Sequence, residues 1–382
     1  MTGERYLDDH PAGNPVNNAG LTIEIGDAAP SDWNELVASD PDSDYFHTRI
    51  WTETISRCYP DKISLWLTVR LQKRLVAGMA ILHSIGRRVD LLESSLEGTS
   101  GGPIIARDLP VDFAGSLFML LIDHFYQLRS GFLGSLSLSL NSGHEARFGF
   151  HLAGDSRWVR HEHSAAVISL AGGIDEVERG RMNKTKRNER NRALRRGVEL
   201  EVTKDPELVA EYYPIYLRAS EKWGIEPAPL ILLQELLAAS TDSGPGEGRA
   251  FFTCVRIEGR VVGGHLNLHY GDRVIAWNGV TDPKFSREHF PATAAIWGDL
   301  VESCRRGASW LDLGGSGGVI KLDEFKQYFG AEEIVRGWYV SETLALRGLR
   351  AGRSGLQHLL SKGKGYNRTI DRTDGTGQAP ES

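Results

Sequence analysis

Three runs decide the fold: AFFTCVRI (250–257), VVGGHLNLHY (261–270) and RVIAWNGV (273–280). Each is rich in β-branched and aromatic residues, and only Glu258-Gly259-Arg260 and Gly271-Asp272 separate them. They read as three consecutive strands joined by tight turns. Before them, 207–223 and 229–239 carry apolar residues at helical spacing. After them, 292–305 does the same and 309–313 is a short strand. Two helices, a three-stranded meander, a helix and a further strand make a layered α/β unit.

Working outward, the first half has the same grammar. A strand at 21–25 precedes a helix that Ser31 or Asp32 can cap, with Trp33, Leu36 and Val37 on one face. A second helix at 48–58 stops at Pro60, and 63–69, 74–84 and 89–93 read as strands. Gly101, Gly102 and Pro103 break the pattern before a long apolar-faced helix at 111–129 and an alternating run at 135–140. A chain of 382 residues is about twice the usual domain length. The reading is therefore two loosely similar domains, 21–170 and 171–340, followed by a helix at 341–362. Residues 1–20 and 363–382 are expected to be disordered, because they are polar and rich in Gly, Pro or Asn.

Composition narrows the function. No run approaches the ~18 apolar residues that a membrane helix needs, and no basic start with an apolar run marks a secretory signal. Cys58, Cys254 and Cys304 are too few and too scattered for a disulfide framework. A cytoplasmic protein is expected. The pairs His161/His163 and His265/His269 lack a third ligand nearby in sequence, so no metal is expected. A net charge of −6 confines any nucleic-acid contact to a local patch. One such patch is 181–196, with eight Lys or Arg against Glu189 alone. From it, Lys184, Arg187 and Arg190 are candidates for phosphate contact.

The stretch at 311–330 carries a resemblance. It reads Leu311-Asp312-Leu313-Gly314-Gly315-Ser316 and then Leu322-Asp323-Glu324-Phe325-Lys326-Gln327-Tyr328-Phe329-Gly330. This resembles the Fem family (FemXAB-type) of aminoacyl-tRNA-dependent transferases, in which an aromatic-Asp-aromatic-Gly-Gly stretch leads to Phe-Lys and then Phe-Gly. Gly263-Gly264, Trp297 and the run from Lys186-Arg187-Asn188 through Arg192-Ala193 to Gly197-Val198 fit the same template. The resemblance covers about 180–335. It implies two acetyltransferase-like (GNAT-like) α/β domains in tandem facing a cleft, no metal and no cofactor. The implied reaction moves an aminoacyl group from aminoacyl-tRNA to an amine acceptor.

Within that frame Lys326 is the first catalytic candidate, because ester aminolysis builds negative charge on a carbonyl oxygen that an ammonium can stabilise. Asp312 is the second, as a base or as a cap on the next turn. Gly314 and Gly315 permit close approach of a substrate, and Phe325 either packs or orients the lysine. Trp277 and His269 fall on strands that line the family cleft, and Lys222 stands where the family has an Arg that meets acceptor phosphates. Lys does not replace Arg at a bidentate site. Residues 47–55, His-Thr-Arg-Ile-Trp-Thr-Glu-Thr-Ile, also lack the lysine of peptidoglycan-directed members. The acceptor is thus a small natural product or peptide as readily as a peptidoglycan precursor. Two alternatives stand beside this reading. One is a CoA-dependent N-acyltransferase, disfavoured because 281–291 has two prolines and no glycine where a pyrophosphate loop would lie. The other is a binding protein of the same fold without chemistry.

Overall fold

The computed structural model describes residues 20–85, 88–240 and 246–351. The lead-in before Gly20, residues 352–362 of the expected last helix and the tail at 363–382 lie outside the described residues. The first half runs β1 (Leu21–Gly26), α1 (Trp33–Ser39), α2 (Arg49–Cys58), β2 (Lys62–Leu71), β3 (Arg74–Ser84), β4 (Asp90–Glu93), β5 (Ile104–Ile105), α3 (Val111–Gln127), β6 (Gly134–Ser139), α4 (Ser142–Ala153) and β7 (Val159–Ser169). A connector with α5 (Gly173–Glu176) and α6 (Lys184–Arg195) leads to the second half. That half runs β8 (Val198–Thr203), α7 (Pro206–Trp223), α8 (Leu230–Ala238), β9 (Arg249–Ile257), β10 (Arg260–Tyr270), β11 (Arg273–Thr281), α9 (Ser286–His289), α10 (Pro291–Arg305), β12 (Trp310–Asp312), α11 (Ile320–Gln327) and β13 (Glu332–Glu342).

Local chemistry explains several boundaries. Thr48 caps α2 through its side chain, Asn183 caps α6, and Asp205 with Pro206 opens α7 before Gly224 ends it in the left-handed region. Asp32 stands at the start of α1 without capping it. Its carboxylate instead takes Arg70 bidentately, at 2.7 and 2.9 Å.

The strands form one sheet in the order β1-β2-β3-β4-β6-β13-β7-β12-β11-β10-β9-β8, with β5 on β3. Read inward from either end, equivalent strands of the two halves meet in the same sequence. Both halves contain one parallel pair, β4/β6 and β11/β12. At the centre the last strands are exchanged. β13 pairs with β6 of the first half, and β7 pairs with β12 of the second. The two exchanged strands then pair with each other over nine residues of register.

Packing assigns the faces. Below the sheet, α3 and α4 bury Phe118, Phe125 and Tyr339 in one core, while α10 and α11 bury Phe251, Leu300, Leu311 and Phe329 in another. Above it, α1 covers Trp66, and α2, α7 and α8 share a core in which Trp51 and Ile55 of the first half meet Tyr212, Leu232 and Leu236 of the second. The halves are thus joined through both the sheet and a common apolar layer, a burial that stabilises at ~25 cal/mol per Å². No described helix is long and apolar enough to cross a membrane.

Candidate functional site

In the second half β11 and β12 pair only from Arg273 to Ile275. Beyond that point the chain leaving Asp312 turns toward β7, with Leu313 N–H donating to Ala166 O and Ala166 N–H to Gly314 O. An opening results between the two strands. In the first half the equivalent place is filled by 94–103, held by Gly101 N–H on Ser139 O at 2.7 Å and by Trp51 Nε1–H on Ser95 Oγ at 3.0 Å. A Cβ at Gly101 would sit 2.3 Å from Ser94 O, so only glycine permits that filling.

The turn at the opening is built by side chains that converge on it. Lys326, buried in the last turn of α11, donates from Nζ to Gly314 O at 2.9 Å and to Gly315 O at 2.8 Å. Burial pushes its pKa below the ordinary lysine value, against the opposing pull of the Asp312 and Asp323 carboxylates. Asp312 accepts Gly314 N–H on Oδ1 at 2.7 Å and pairs through Oδ2 with Arg336 of β13. Burial works against the charge on Arg336, but the Asp312 carboxylate, aided by Asp44, holds its pKa above the ordinary value. Gly314, Gly317 and Gly318 have φ of 68°, 57° and 77°, which keeps this turn in a conformation that other residues rarely adopt. Ser316 Oγ and Arg336 Nε are buried and have no partner among the described residues. With both oxygens of Asp312 engaged, its geometry suits positioning of the turn better than taking up a proton.

The connector is less available for phosphate than its charge suggests. Arg187 gives Nη1 to the carbonyls of Glu178, Arg179 and Met182. Arg190 is buried, ion-paired with Glu178 and stacked at 4.1 Å over Trp297. Lys186 sits over Phe325 at 4.4 Å and pairs with Glu189 at 2.6 Å. Of the three residues expected to meet phosphate, only Lys184 is exposed, as are Arg192 and Arg195 on the same helix and Arg196 at its C-cap. The start of α10 also departs from an anion cradle. Phe290 has a left-handed φ of 51°, Pro291 lacks an N–H, and Glu189 takes a hydrogen bond from Thr293 Oγ1 at 2.7 Å.

The remaining candidates scatter. Trp277 is half-buried, edge-on to Trp51 at 5.2 Å, where the two halves meet. Phe325 packs into the core edge-on to Phe329 at 5.4 Å. Lys222 is exposed at the end of α7. His269 is turned away from the upper face. It shares the β10 face of His265, which bonds Asp299 of α10, and its Nε2–H donates to Gly271 O at 3.1 Å. The structure brings together Lys326, Asp312, Gly314 and Gly315. Sequence reasoning misses Arg336 and Trp338, which lie on a strand whose polar and apolar residues keep no regular period of two.

These features can be set beside known proteins. A family model described as an acetyltransferase (GNAT) domain matches residues 180–327. FemX superposes with a TM-score of 0.63 at 12% identity, covering 85% of this chain and 98% of that one. The fold is GNAT-like, in tandem. The C-terminal domain of a lysylphosphatidylglycerol synthetase from Agrobacterium fabrum, itself described as putative, gives 0.52 at 12% identity, over 84% and 95% of the two chains. A tandem GNAT protein from the clavulanic acid biosynthesis pathway gives 0.52 at 11%, over 85% and 98%. At these identities the likeness is one of fold. No curated protein matches the chain.

Proposed function

We propose that this protein is an amide-forming acyltransferase that takes an aminoacyl group from the 3′ ester of an aminoacyl-tRNA and gives it to an amine acceptor. The observation that carries the reading is the buried Lys326 ammonium on the turn that leaves β12, with two of its three donors engaged by Gly314 O and Gly315 O. The third has no partner among the described residues. In ester aminolysis the amine nitrogen bonds to the carbonyl carbon, the bond to the ribose oxygen breaks, and the proton lost by the amine ends on that ribose oxygen. Negative charge gathers meanwhile on the carbonyl oxygen. A fixed ammonium in a water-poor site stabilises it at no further cost of reorganisation. Because the ester is already activated, positioning supplies much of what remains. Asp312 and Arg336 hold the turn in place.

The donor follows from the start of α10. A CoA pyrophosphate there would need free backbone N–H groups, and Pro291, the Phe290 backbone and the Glu189 carboxylate do not fit it. The exposed cations of α6 lie beside the same loop, Arg192 over Phe290 at 5.0 Å and Arg196 on Glu288 O. They suit a polyanion such as tRNA. The acceptor is a small natural product, a peptide or a peptidoglycan precursor. The test supplies charged tRNA and a mixture of amines. Amide products should form and disappear after ribonuclease treatment, whereas products that survive ribonuclease would reject the tRNA donor. No product with any acyl donor would leave a binding protein.

A further inference from the structure

The two exchanged strands carry a feature that the transfer chemistry does not use. Trp338 of β13 lies opposite His161 of β7, and Arg336 opposite His163. Side chains of opposed residues project to one face of an antiparallel pair. Tyr339, the neighbour of Trp338, is buried in the lower core. Trp338, Arg336, His161 and His163 therefore all stand on the upper face, the face of Asp312. Both imidazoles lie against the indole, with ring centroids at 5.0 and 5.2 Å. The indole is fixed, since Nε1–H donates to Ser137 Oγ at 2.7 Å. Yet Trp338 is only half-buried and both histidines are exposed. Neither imidazole has a hydrogen-bond partner among the described residues.

Such a platform offers a flat aromatic face with ring nitrogens at its rim that can each donate or accept. Two residues along β13, Arg336 adds a cation. Asp312, the carboxylate that pairs with Arg336, has both oxygens engaged and offers none to sugar hydroxyls. The complementary ligand is a heteroaromatic ring with donors and acceptors on its edge and an anionic group on the Arg336 side. We propose that His161, Trp338 and His163 form a nucleotide-base subsite, with the base stacked on Trp338 and its phosphate toward Arg336. The assignment rests on the transfer reading, which is what brings a nucleotide to this face. The base can come from the 3′ end of the donor tRNA or from a nucleotide carried by the acceptor.

Calorimetry on the full chain tests this with two probes, the trinucleotide CCA and uridine diphosphate. At least one should bind the wild type. Trp338→Ala should weaken it by roughly ten-fold or more, the usual loss when one stacked base loses its aromatic partner. Trp338→Phe should keep most of the affinity. His161→Ala with His163→Ala, at exposed positions, gives a second reading if Trp338→Ala melts early. Loss confined to CCA assigns the donor end, and loss confined to uridine diphosphate assigns the acceptor. No binding of either probe by the wild type, or wild-type affinity in Trp338→Ala and the double variant, overturns the subsite. Amide formation is measured in parallel. Probe binding that needs Trp338 in a protein without transfer activity keeps the subsite and rejects the transfer reading. Transfer with an unchanged donor KM and acceptor KM in Trp338→Ala rejects the subsite alone.

Discussion

Lys326 makes its case through what its removal would leave behind. Lys326→Met keeps most of the side-chain volume but leaves Gly315 O without its donor, while Gly314 O keeps Ala166 N–H, a cost of about 1–3 kcal/mol in stability. If the ammonium also stabilises the transition state, turnover should fall by ~10²-fold or more in protein that is still folded at the assay temperature. Rates and melting curves on the same preparation separate the two effects, and near-native turnover would remove Lys326 from the mechanism. A second residue-scale consequence concerns acid. Burial alone would raise Asp40 and Asp44. However, His144, Ile105 N–H and Arg147 around the first, and His47, Ser100 and Asn141 around the second, hold both carboxyls well below the ordinary range. Groups depressed in the folded state stabilise above their unfolded pKa, near ~4, and lose that contribution as pH falls toward the folded values. His47 has the opposite sign, raised by Asp44 against its own burial. It stabilises below ~6.5 and loses that as pH rises through its folded value. The melting temperature should therefore drop steeply below about pH 4, and Asp44→Asn should flatten that limb. An unchanged acid limb would show that these carboxylates do not govern it.

At the scale of elements, α6 divides its charges between two jobs. Arg187 and Arg190 hold the connector together, whereas Lys184, Arg192, Arg195 and Arg196 face solvent. Replacing the four exposed residues by Gln should weaken tRNA binding and lower its salt slope by roughly one for each phosphate that is no longer neutralised. Arg190→Gln should instead lower the melting point by breaking a buried pair. Identical salt slopes would leave the helix a connector only. This division was not legible in the sequence, because a run of charge says nothing of which guanidinium finds a carbonyl. The meander at 250–280 and α10 were legible, since their apolar periodicity is strong. α4 was not, as Gly143 and Gly149 dilute its helical signal. β13 was obscured for a different reason, whereas His161 and His163 of β7 did read as strand residues. The run Glu332-Glu333-Ile334-Val335-Arg336-Gly337-Trp338-Tyr339-Val340 keeps no period of two, so Arg336 and Trp338 looked like surface.

Across the whole molecule, sequence order anticipated two similar halves but not their exchange of strands, because pairing between β6 and β13 spans about 200 residues and leaves no local trace. The exchange makes each half incomplete without the other. Residues 1–170 and 171–382 produced apart should fail to give cooperative melting as monomers, and should recover it when mixed during refolding. Either piece melting cooperatively alone would contradict this. The same exchange puts Asp312, Arg336 and Trp338 on one face, a juxtaposition that exists only in the assembled molecule. The most direct test of that account is a donor competition, in which the protein receives tRNA charged with a carbon-14 amino acid, tritiated acetyl-CoA and a panel of amines together. Carbon-14 alone should enter the amide product, and tritium in the amide would contradict the proposed function.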